Sequence, residues 1–159
     1  MKVLLILKPD CIEKGLEAKV KEALTSKGYN IVAEKKIEKV PVEMLEKHYN
    51  ELGKLRERLS EAKGEDFANM VIESTFNYMS RGPIVPFVVE KDGDDAEVVE
   101  TLRNEVIGKT RPWEAAEGTI REMYGNKDPK HDPIENVIHC SGSAEEAYDE
   151  VALWFTELS

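Results

Sequence analysis

The feature that most constrains the fold is a short apolar run at the start of the chain. Residues 3–7 read VLLIL, without polar alternation, and the polar sequence KPD follows directly. A run of this length and composition predicts a strand that has neighbours in a sheet and is covered by helices on at least one face. It is too short to cross a membrane as a helix. The chain therefore starts with a predicted central strand of a globular domain.

Helical and strand patterns alternate along the rest of the sequence. Helices are predicted at 12–27, 45–62, 67–78, around 98–106 and from Ser143 onward, and strands at 30–40, 82–90 and 136–140. Ser143 and Glu146 form a capping-box pattern at the start of the last helix. Pro86 is unexpected inside a strand, because proline usually marks an edge strand or a bulge. The order predicts an α+β fold of the ferredoxin-like, split βαβ type, with helices on a four-stranded antiparallel sheet.

The chain of 159 residues is predicted to form one domain, because no linker or repeat divides it. Residues 109–135 are polar and contain Pro112, Pro129 and Pro133, which predicts a long loop. Loops of this length in small domains are often functional.

Charge and cysteine content limit the classes of function. The formal net charge of −10 disfavours extended contact with nucleic acid or an anionic membrane, although a small phosphate ligand needs only a few local cations. Cys11 and Cys140 are too few for a disulfide framework or a zinc site. Two free thiols and no recognisable signal peptide lead us to expect a cytoplasmic protein.

The sequence ENVIHCSGSAEEA at 135–147 places His139 at the end of a short apolar run, just before the last helix. A histidine in such a position is more often structural than catalytic. Its role therefore depends on the rest of the chain.

Several separate stretches supply that context. They are KPD at 8–10, HYNEL at 48–52, LRNEVIGKTRP at 102–112, GTIR at 118–121, NVIHCSGS at 136–143 and SAEEAYDEVALWF at 143–155. Together, and in this order, they resemble the nucleoside diphosphate kinase family over nearly the whole chain. The resemblance implies transfer of the γ-phosphate of a nucleoside triphosphate to a nucleoside diphosphate, by a ping-pong mechanism through a phosphohistidine.

The resemblance also implies roles for individual residues. His139 is the implied nucleophile, Glu150 orients it together with Ser141, and Lys8 approaches the transferred phosphate. The implied nucleotide-binding residues are Arg103, Thr110 and Arg121 on the phosphates, Asn136 on the sugar, Tyr49 near the phosphate, and Ile72 where the family has a phenylalanine against the base. Magnesium would arrive on the nucleotide phosphates, without a metal site of the protein. Several bases should be accepted, and a homo-oligomer built from dimers is expected.

The sequence departs from the family pattern at a few places. Cys11 and Cys140 replace usual glycines, Gly142 replaces an aspartate, and Arg111 replaces an asparagine. One extra residue lies between Arg103 and Thr110, and a helical insertion of the chain lies at about 53–70. If the two cysteines are exposed, their modification should slow the reaction.

Two other functions remain open at this stage. A non-catalytic relative would bind a nucleotide or a protein without turnover, and its histidine would be unreactive. An unrelated ferredoxin-like regulatory module would show no stabilisation by nucleotides.

Overall fold

A four-stranded antiparallel sheet in the order β2-β3-β1-β4 forms the centre of the computed structural model, which describes residues 1–158. The strands are β1 (Lys2–Leu7), β2 (Asn30–Glu34), β3 (Val85–Glu90) and β4 (Ile138–Cys140). The apolar run at the N-terminus is an inner strand between β3 and β4, so the predicted central position is confirmed. The α+β fold with a four-stranded antiparallel sheet is confirmed as well.

Eight α-helices surround the sheet in the described part of the chain. They are α1 (Pro9–Glu13), α2 (Glu17–Thr25), α3 (Val42–Leu45), α4 (Leu55–Lys63), α5 (Glu65–Ser80), α6 (Asp95–Thr101), α7 (Ile120–Tyr124) and α8 (Ala144–Trp154). Helix α3 continues as a π-helix over Glu46–Leu52, and α6 continues as a π-helix over Leu102–Ile107. Short 3₁₀ turns occupy Pro112–Glu114 and Thr156–Leu158. Within residues 1–158, no helix has the length and apolar character that a membrane span requires.

Both faces of the sheet are buried, which explains why β1 is apolar throughout. Val3, Leu5 and Leu7 contribute to one core cluster, together with apolar residues of α2 and α6. Leu4 and Ile6 contribute to the other, together with residues of α3, the end of α5 and the end of α8. Successive side chains of a strand point to opposite faces. A strand covered on both sides therefore needs an unbroken apolar run.

Several predicted boundaries are wrong by a few residues. The helix predicted at 12–27 is two helices, because Gly15 has a positive φ of 66° between α1 and α2. The helix predicted at 45–62 is interrupted at Lys54, whose φ is 51°. The strand predicted at 30–40 ends at Glu34, with an isolated bridge at Ile37. The predicted loop at 109–135 contains α7 and a 3₁₀ turn.

Pro86 lies in an inner strand without disrupting it. It pairs with Ile6 of β1, and its carbonyl accepts a hydrogen bond from the Lys35 amide at 3.0 Å. In an antiparallel strand the N–H and C=O of one residue face the same neighbour. The missing N–H of Pro86 therefore faces the chain just beyond the end of β2, and the pairing with β1 loses no hydrogen bond.

Candidate active site

A cavity of about 930 Å³ opens beside the ends of β1 and β4. Most of the residues that the sequence predicted for the site line it. They are Lys8, Tyr49, Arg103, Thr110, Arg121, Asn136, His139 and Glu150. Six separate segments of the chain contribute them, so the fold brings together residues that are far apart in sequence.

His139 lies on β4 with one ring nitrogen fixed by α8. Its Nε2 is 2.8 Å from Glu150 Oε1, and the Ser141 hydroxyl donates to the same carboxylate oxygen at 2.8 Å. A carboxylate only accepts hydrogen bonds, so the proton lies on Nε2 and the lone pair of the neutral ring lies on Nδ1. Nδ1 has no hydrogen-bond partner among the residues that the structure describes. This arrangement suits a nucleophile.

Glu150 remains ionised although it is buried. Burial by itself would raise the pKa of this carboxyl, but the charge and hydrogen bond of His139 outweigh burial and lower the pKa to about 2. The carboxylate is therefore negative at any pH at which the protein is expected to work. It can stabilise positive charge that develops on the imidazole when Nδ1 forms a bond.

A second histidine packs against His139 and stays neutral. The Trp154 indole N–H donates to His48 Nδ1 at 3.0 Å, and the centroids of the two imidazole rings are 4.5 Å apart in an edge-to-face arrangement. Burial lowers the pKa of His48 to about 3, and the neighbouring His139 contributes. His48 therefore limits the movement of the His139 ring without adding a charge beside it.

His48, His139 and Glu150 are also the one group of three or more potential metal ligands within residues 1–158. The group fits a metal poorly. Trp154 donates to His48 Nδ1, so Nε2 of that ring carries the proton, and Glu150 already accepts from His139. Magnesium also prefers oxygen ligands to imidazole nitrogen. The donor set therefore gives no protein cage for this ion.

Lys8, Asn136 and Thr110 form one hydrogen-bonded group. Lys8 Nζ donates to Asn136 Oδ1 at 2.7 Å, and Asn136 Nδ2 donates to the Thr110 carbonyl at 2.9 Å. Burial, with a contribution from the positive Arg121, lowers the pKa of Lys8 to about 7. Burial and the nearby Arg121 therefore disfavour the ammonium form, and an anion bound beside it would stabilise its positive charge.

Two arginines contribute the other cations of the cavity. Arg121 is 8% exposed and donates to the carbonyls of Gly108 and Ile138, at 3.1 and 2.7 Å. Its Nε is buried and has no partner among residues 1–158. Arg103 is exposed, and its guanidinium donates to the Gly142 carbonyl at 2.9 Å. Both guanidiniums are oriented by the backbone and retain N–H groups for a ligand.

Asp10, which the sequence analysis did not assign to the site, holds the backbone just before His139. Val137 has a φ of 63°, which is strained for a β-branched residue. Asp10 Oδ2 accepts from the Val137 amide at 3.2 Å, and the Lys8 amide donates to the Val137 carbonyl at 2.9 Å. Tyr78 donates to the other oxygen of Asp10 at 2.6 Å. The KPD sequence therefore fixes the conformation that leads into β4.

A π-helix lies where the family resemblance implies an extra residue, between Arg103 and Thr110. Leu102–Ile107 has this conformation, and Gly108 follows with a φ of 98°. A π turn holds one residue more than an α turn, so it can accommodate an insertion while leaving the flanking residues in place. Arg103 and Thr110 both line the cavity despite the added residue.

Gly142 fits closely against the first turn of α8. The Gly142 amide donates to Glu146 Oε2 at 2.8 Å, and a Cβ at this position would clash with that oxygen. Ser143 Oγ accepts from the Glu146 amide at 3.1 Å, as the predicted cap requires. An aspartate at position 142 would therefore have to displace the Glu146 carboxylate.

The outer wall of the cavity differs from the prediction at one residue. Ile72 is 4% exposed and is not among the lining residues, whereas its neighbour Val71 is. The two residues point to different sides of α5, and Ile72 belongs to the buried side. Residues of α4, which lies within the insertion that the resemblance implies at about 53–70, also line the cavity.

The two cysteines occupy different environments, and both are buried. Cys11 is 0% exposed in a core cluster, whereas Cys140 is 7% exposed and lines the cavity. Burial raises the pKa of each thiol to about 12. Both thiols should therefore react slowly with modifying reagents, and only Cys140 can crowd the cavity directly.

Comparisons with known proteins give one consistent result. A family model described as "Nucleoside diphosphate kinase" matches residues 2–159. The nucleoside diphosphate kinase of Methanocaldococcus jannaschii is 38% identical over 151 residues, covering 95% of this chain and 90% of that protein. The enzyme of the same name from Staphylococcus epidermidis is 36% identical over 152 residues, covering 96% of this chain and 85% of that protein.

Solved structures agree with the sequence matches. The nucleoside-diphosphate kinase of Borrelia burgdorferi, in a transition-state mimic with vanadate and ADP, superposes with a TM-score of 0.80 at 31% identity. The match covers 98% of this chain and 86% of that one.

Proposed function

The chain belongs to the nucleoside diphosphate kinase family, and we propose that it transfers the γ-phosphate of a nucleoside triphosphate to a nucleoside diphosphate through a phosphohistidine at His139. The single observation that carries this assignment is the hydrogen bond of 2.8 Å from His139 Nε2 to Glu150. It leaves the lone pair of Nδ1 available beside a cavity lined by Lys8, Arg103 and Arg121.

In the first step, Nδ1 attacks the γ-phosphorus, and the bond from that phosphorus to the β,γ-bridging oxygen breaks. The diphosphate leaves with the bonding electron pair, and the phosphorylated imidazole keeps its proton on Nε2, which donates it in the hydrogen bond to Glu150. In the second step, a β-phosphate oxygen of another diphosphate attacks the same phosphorus, and the N–P bond breaks. The histidine returns to its starting state, so no other reactant is consumed.

The cations stabilise the charge on the transferring group. Phosphoryl transfer depends mainly on positioning and electrostatic stabilisation. Lys8 and the two arginines supply positive charge, and the Thr110 hydroxyl and the Tyr49 ring complete the wall. Asn136 is 3% exposed and already bonded at both ends of its amide, so its remaining N–H is the group available to a sugar hydroxyl.

Magnesium belongs to the substrate in this proposal. The one cluster of potential metal ligands within residues 1–158, formed by His48, His139 and Glu150, fits magnesium poorly. The ion would therefore be held by nucleotide phosphates and water. When bound, it would neutralise part of the phosphate charge.

Cellular location and assembly are part of the same proposal. Two unpaired thiols suit a reducing compartment, and we place the enzyme in the cytoplasm. We also propose a homo-oligomer built from dimers, in which β2, the edge strand on one side of the sheet, contributes to the contact.

Steady-state kinetics test the reaction. With ATP varied at several fixed concentrations of a second diphosphate, a ping-pong enzyme gives parallel double-reciprocal lines. His139→Ala should lower the exchange rate by roughly 1000-fold or more, as expected for loss of a nucleophile. ATP binding by this variant provides the control for folding. Normal binding without exchange in the unmodified protein would instead support the non-catalytic alternative.

A further inference from the structure

The rim of the cavity carries a carboxylate that the phosphate transfer does not use. Asp132 lines the cavity and is exposed. The Ser74 hydroxyl of α5 donates to Asp132 Oδ1 at 3.3 Å, whereas Oδ2 has no hydrogen-bond partner within residues 1–158. An ionised carboxylate accepts hydrogen bonds on both oxygens. Asp132 therefore presents unused acceptor positions to the cavity.

We propose that Asp132 reads the edge of the nucleotide base and favours guanine, an inference that rests on the phosphate transfer proposed above. The Watson–Crick edge of guanine presents N1–H and the 2-amino group side by side. The two oxygens of a carboxylate can accept both hydrogens at once, in a paired, charge-assisted arrangement. Adenine presents an acceptor beside its amino group, and hypoxanthine has N1–H but lacks the 2-amino group.

The direction of the bound nucleotide follows from the burial of the lining residues. Arg121 and Asn136 are 8% and 3% exposed, so the phosphates and the sugar would lie at the deep end of the cavity. Asp132 precedes Asn136 on the same segment and lies at the exposed rim. A nucleotide with its phosphates at the cations would therefore bring its base to the rim.

Apolar groups at this rim are placed to contact the faces of a base. Val71 of α5 lines the cavity, and so do Pro133 and Ile134, which follow Asp132 in the chain. A planar base packed against these apolar walls would leave its polar edge to be satisfied by other groups. Ser74 and Asp132 lie on the same two segments and bond to each other. They supply the polar contacts that the apolar walls lack.

Hydrogen bonds and an ion pair hold the segment that carries Asp132. His131 Nδ1 is 2.9 Å from the Pro133 carbonyl, and the Asn126 amide donates to the Glu135 carbonyl at 2.8 Å. Arg81, at the end of α5, forms an ion pair with Glu135 at 3.1 Å. The carboxylate is therefore presented by a fixed backbone, which reduces the ordering cost of binding.

Other acidic residues of the cavity provide controls. Glu146 and Glu150 already accept hydrogen bonds within the protein. Glu57 and Glu61 line the wall formed by α4. Glu61→Gln removes one negative charge from the same cavity as Asp132→Asn does, so it separates an effect of net charge from an effect of base reading.

The test compares GDP with IDP as phosphate acceptors, because the two differ only in the 2-amino group. A partly exposed charge-assisted hydrogen bond should make kcat/KM for GDP roughly three- to tenfold higher than for IDP. Asp132→Asn should bring this ratio close to one, whereas Glu61→Gln should retain it. The ratio in the unmodified protein is informative even if a variant fails to fold.

The outcomes distinguish a failure of base recognition by Asp132 from a failure of the proposed phosphate transfer. Equal use of GDP and IDP, or a ratio that Asp132→Asn leaves unchanged, would overturn base reading by Asp132. Loss of the ratio in Glu61→Gln alone would assign the reading to α4 and overturn the proposal as well. If neither diphosphate accepts phosphate at all, the proposed transfer itself is wrong.

Discussion

Glu150 keeps the proton of His139 on Nε2 and so leaves Nδ1 as the nitrogen with a free lone pair. The same carboxylate accepts a hydrogen bond from the hydroxyl of Ser141, which is completely buried. Two hydrogen bonds therefore fix the position of the Glu150 carboxylate. Lys8 is held differently, because its side chain donates a hydrogen bond to the neutral amide of Asn136 and lies over the Tyr78 ring. The nucleophile is therefore oriented by an ionised carboxylate, whereas the positive charge of Lys8 has no ion pair with a carboxylate among the described residues.

Lys8 should take up a proton when a nucleotide binds near neutral pH. Burial, and then Arg121, lower its pKa to about 7 in the free protein. Bound phosphates favour the charged ammonium and raise the pKa in the complex. Affinity should therefore be highest below pH 7 and decline as the pH rises above it, with uptake approaching one proton at mildly alkaline pH. Calorimetry of ADP binding in buffers of different ionisation enthalpy measures this uptake.

Two lysine variants provide the comparison. Arginine stays charged throughout this pH range, so Lys8→Arg should remove the proton uptake. Lys14→Arg changes an exposed lysine that bonds only the Tyr124 carbonyl, and it should retain the uptake. Equal proton uptake by the unmodified protein and by Lys8→Arg would contradict the assignment to Lys8.

Most residues that the sequence motifs predicted for the site line the cavity, but the motifs could not show how those residues are held. Asp10 stands in the KPD sequence, yet its contact with the Val137 amide joins residues that are far apart in the chain. Ile72 was the exception among the base contacts, because counting along a helix does not determine which side faces a cavity. Val71 lines the cavity instead.

Two helical regions of this protein depart from regular α-helical winding. The π-helix Leu102–Ile107 lies where the family resemblance implies an extra residue before Thr110, and α4 lies within the implied insertion, between breaks at Lys54 and Gly64. Periodicity predicted helices in both regions. It could not predict these breaks, because Lys54 adopts a left-handed conformation that its residue type does not indicate.

We expect two subunits to meet at the edge strand β2. β2 ends the sheet on one side, and Val32 on this strand is 43% exposed. Unpaired strand edges readily pair with another chain. We expect light scattering to give at least a dimer, and Val32→Lys to weaken it by placing like charges at the contact.

Met123→Lys is the matched control, because Met123 on α7 is 44% exposed and lies outside the sheet. It should leave the mass unchanged. A monomer at all concentrations, or equal weakening by both variants, would contradict a contact at β2.

On the scale of the whole molecule, a small sheet brings six separate segments to one cavity. Lys8 directly follows β1, β4 carries His139, and α8 supplies Glu150 behind it. The family resemblance predicted this convergence, and the alternation of patterns predicted the α+β fold. The predicted loop at 109–135 proved to be partly helical, because its short α7 is stabilised by tertiary contacts that local periodicity does not reveal.

Isolation of the phosphorylated protein tests the central claim most directly. Incubation with γ-labelled ATP and magnesium, without an acceptor, should label the chain at His139. The label should be labile in acid and stable in alkali, as a phosphoramidate is and a serine ester at Ser141 or Ser143 is not. Addition of a nucleoside diphosphate should transfer the label to the nucleotide, and His139→Ala should remain unlabelled. Label that persists in His139→Ala, or that the diphosphate fails to discharge, would contradict a phosphohistidine intermediate.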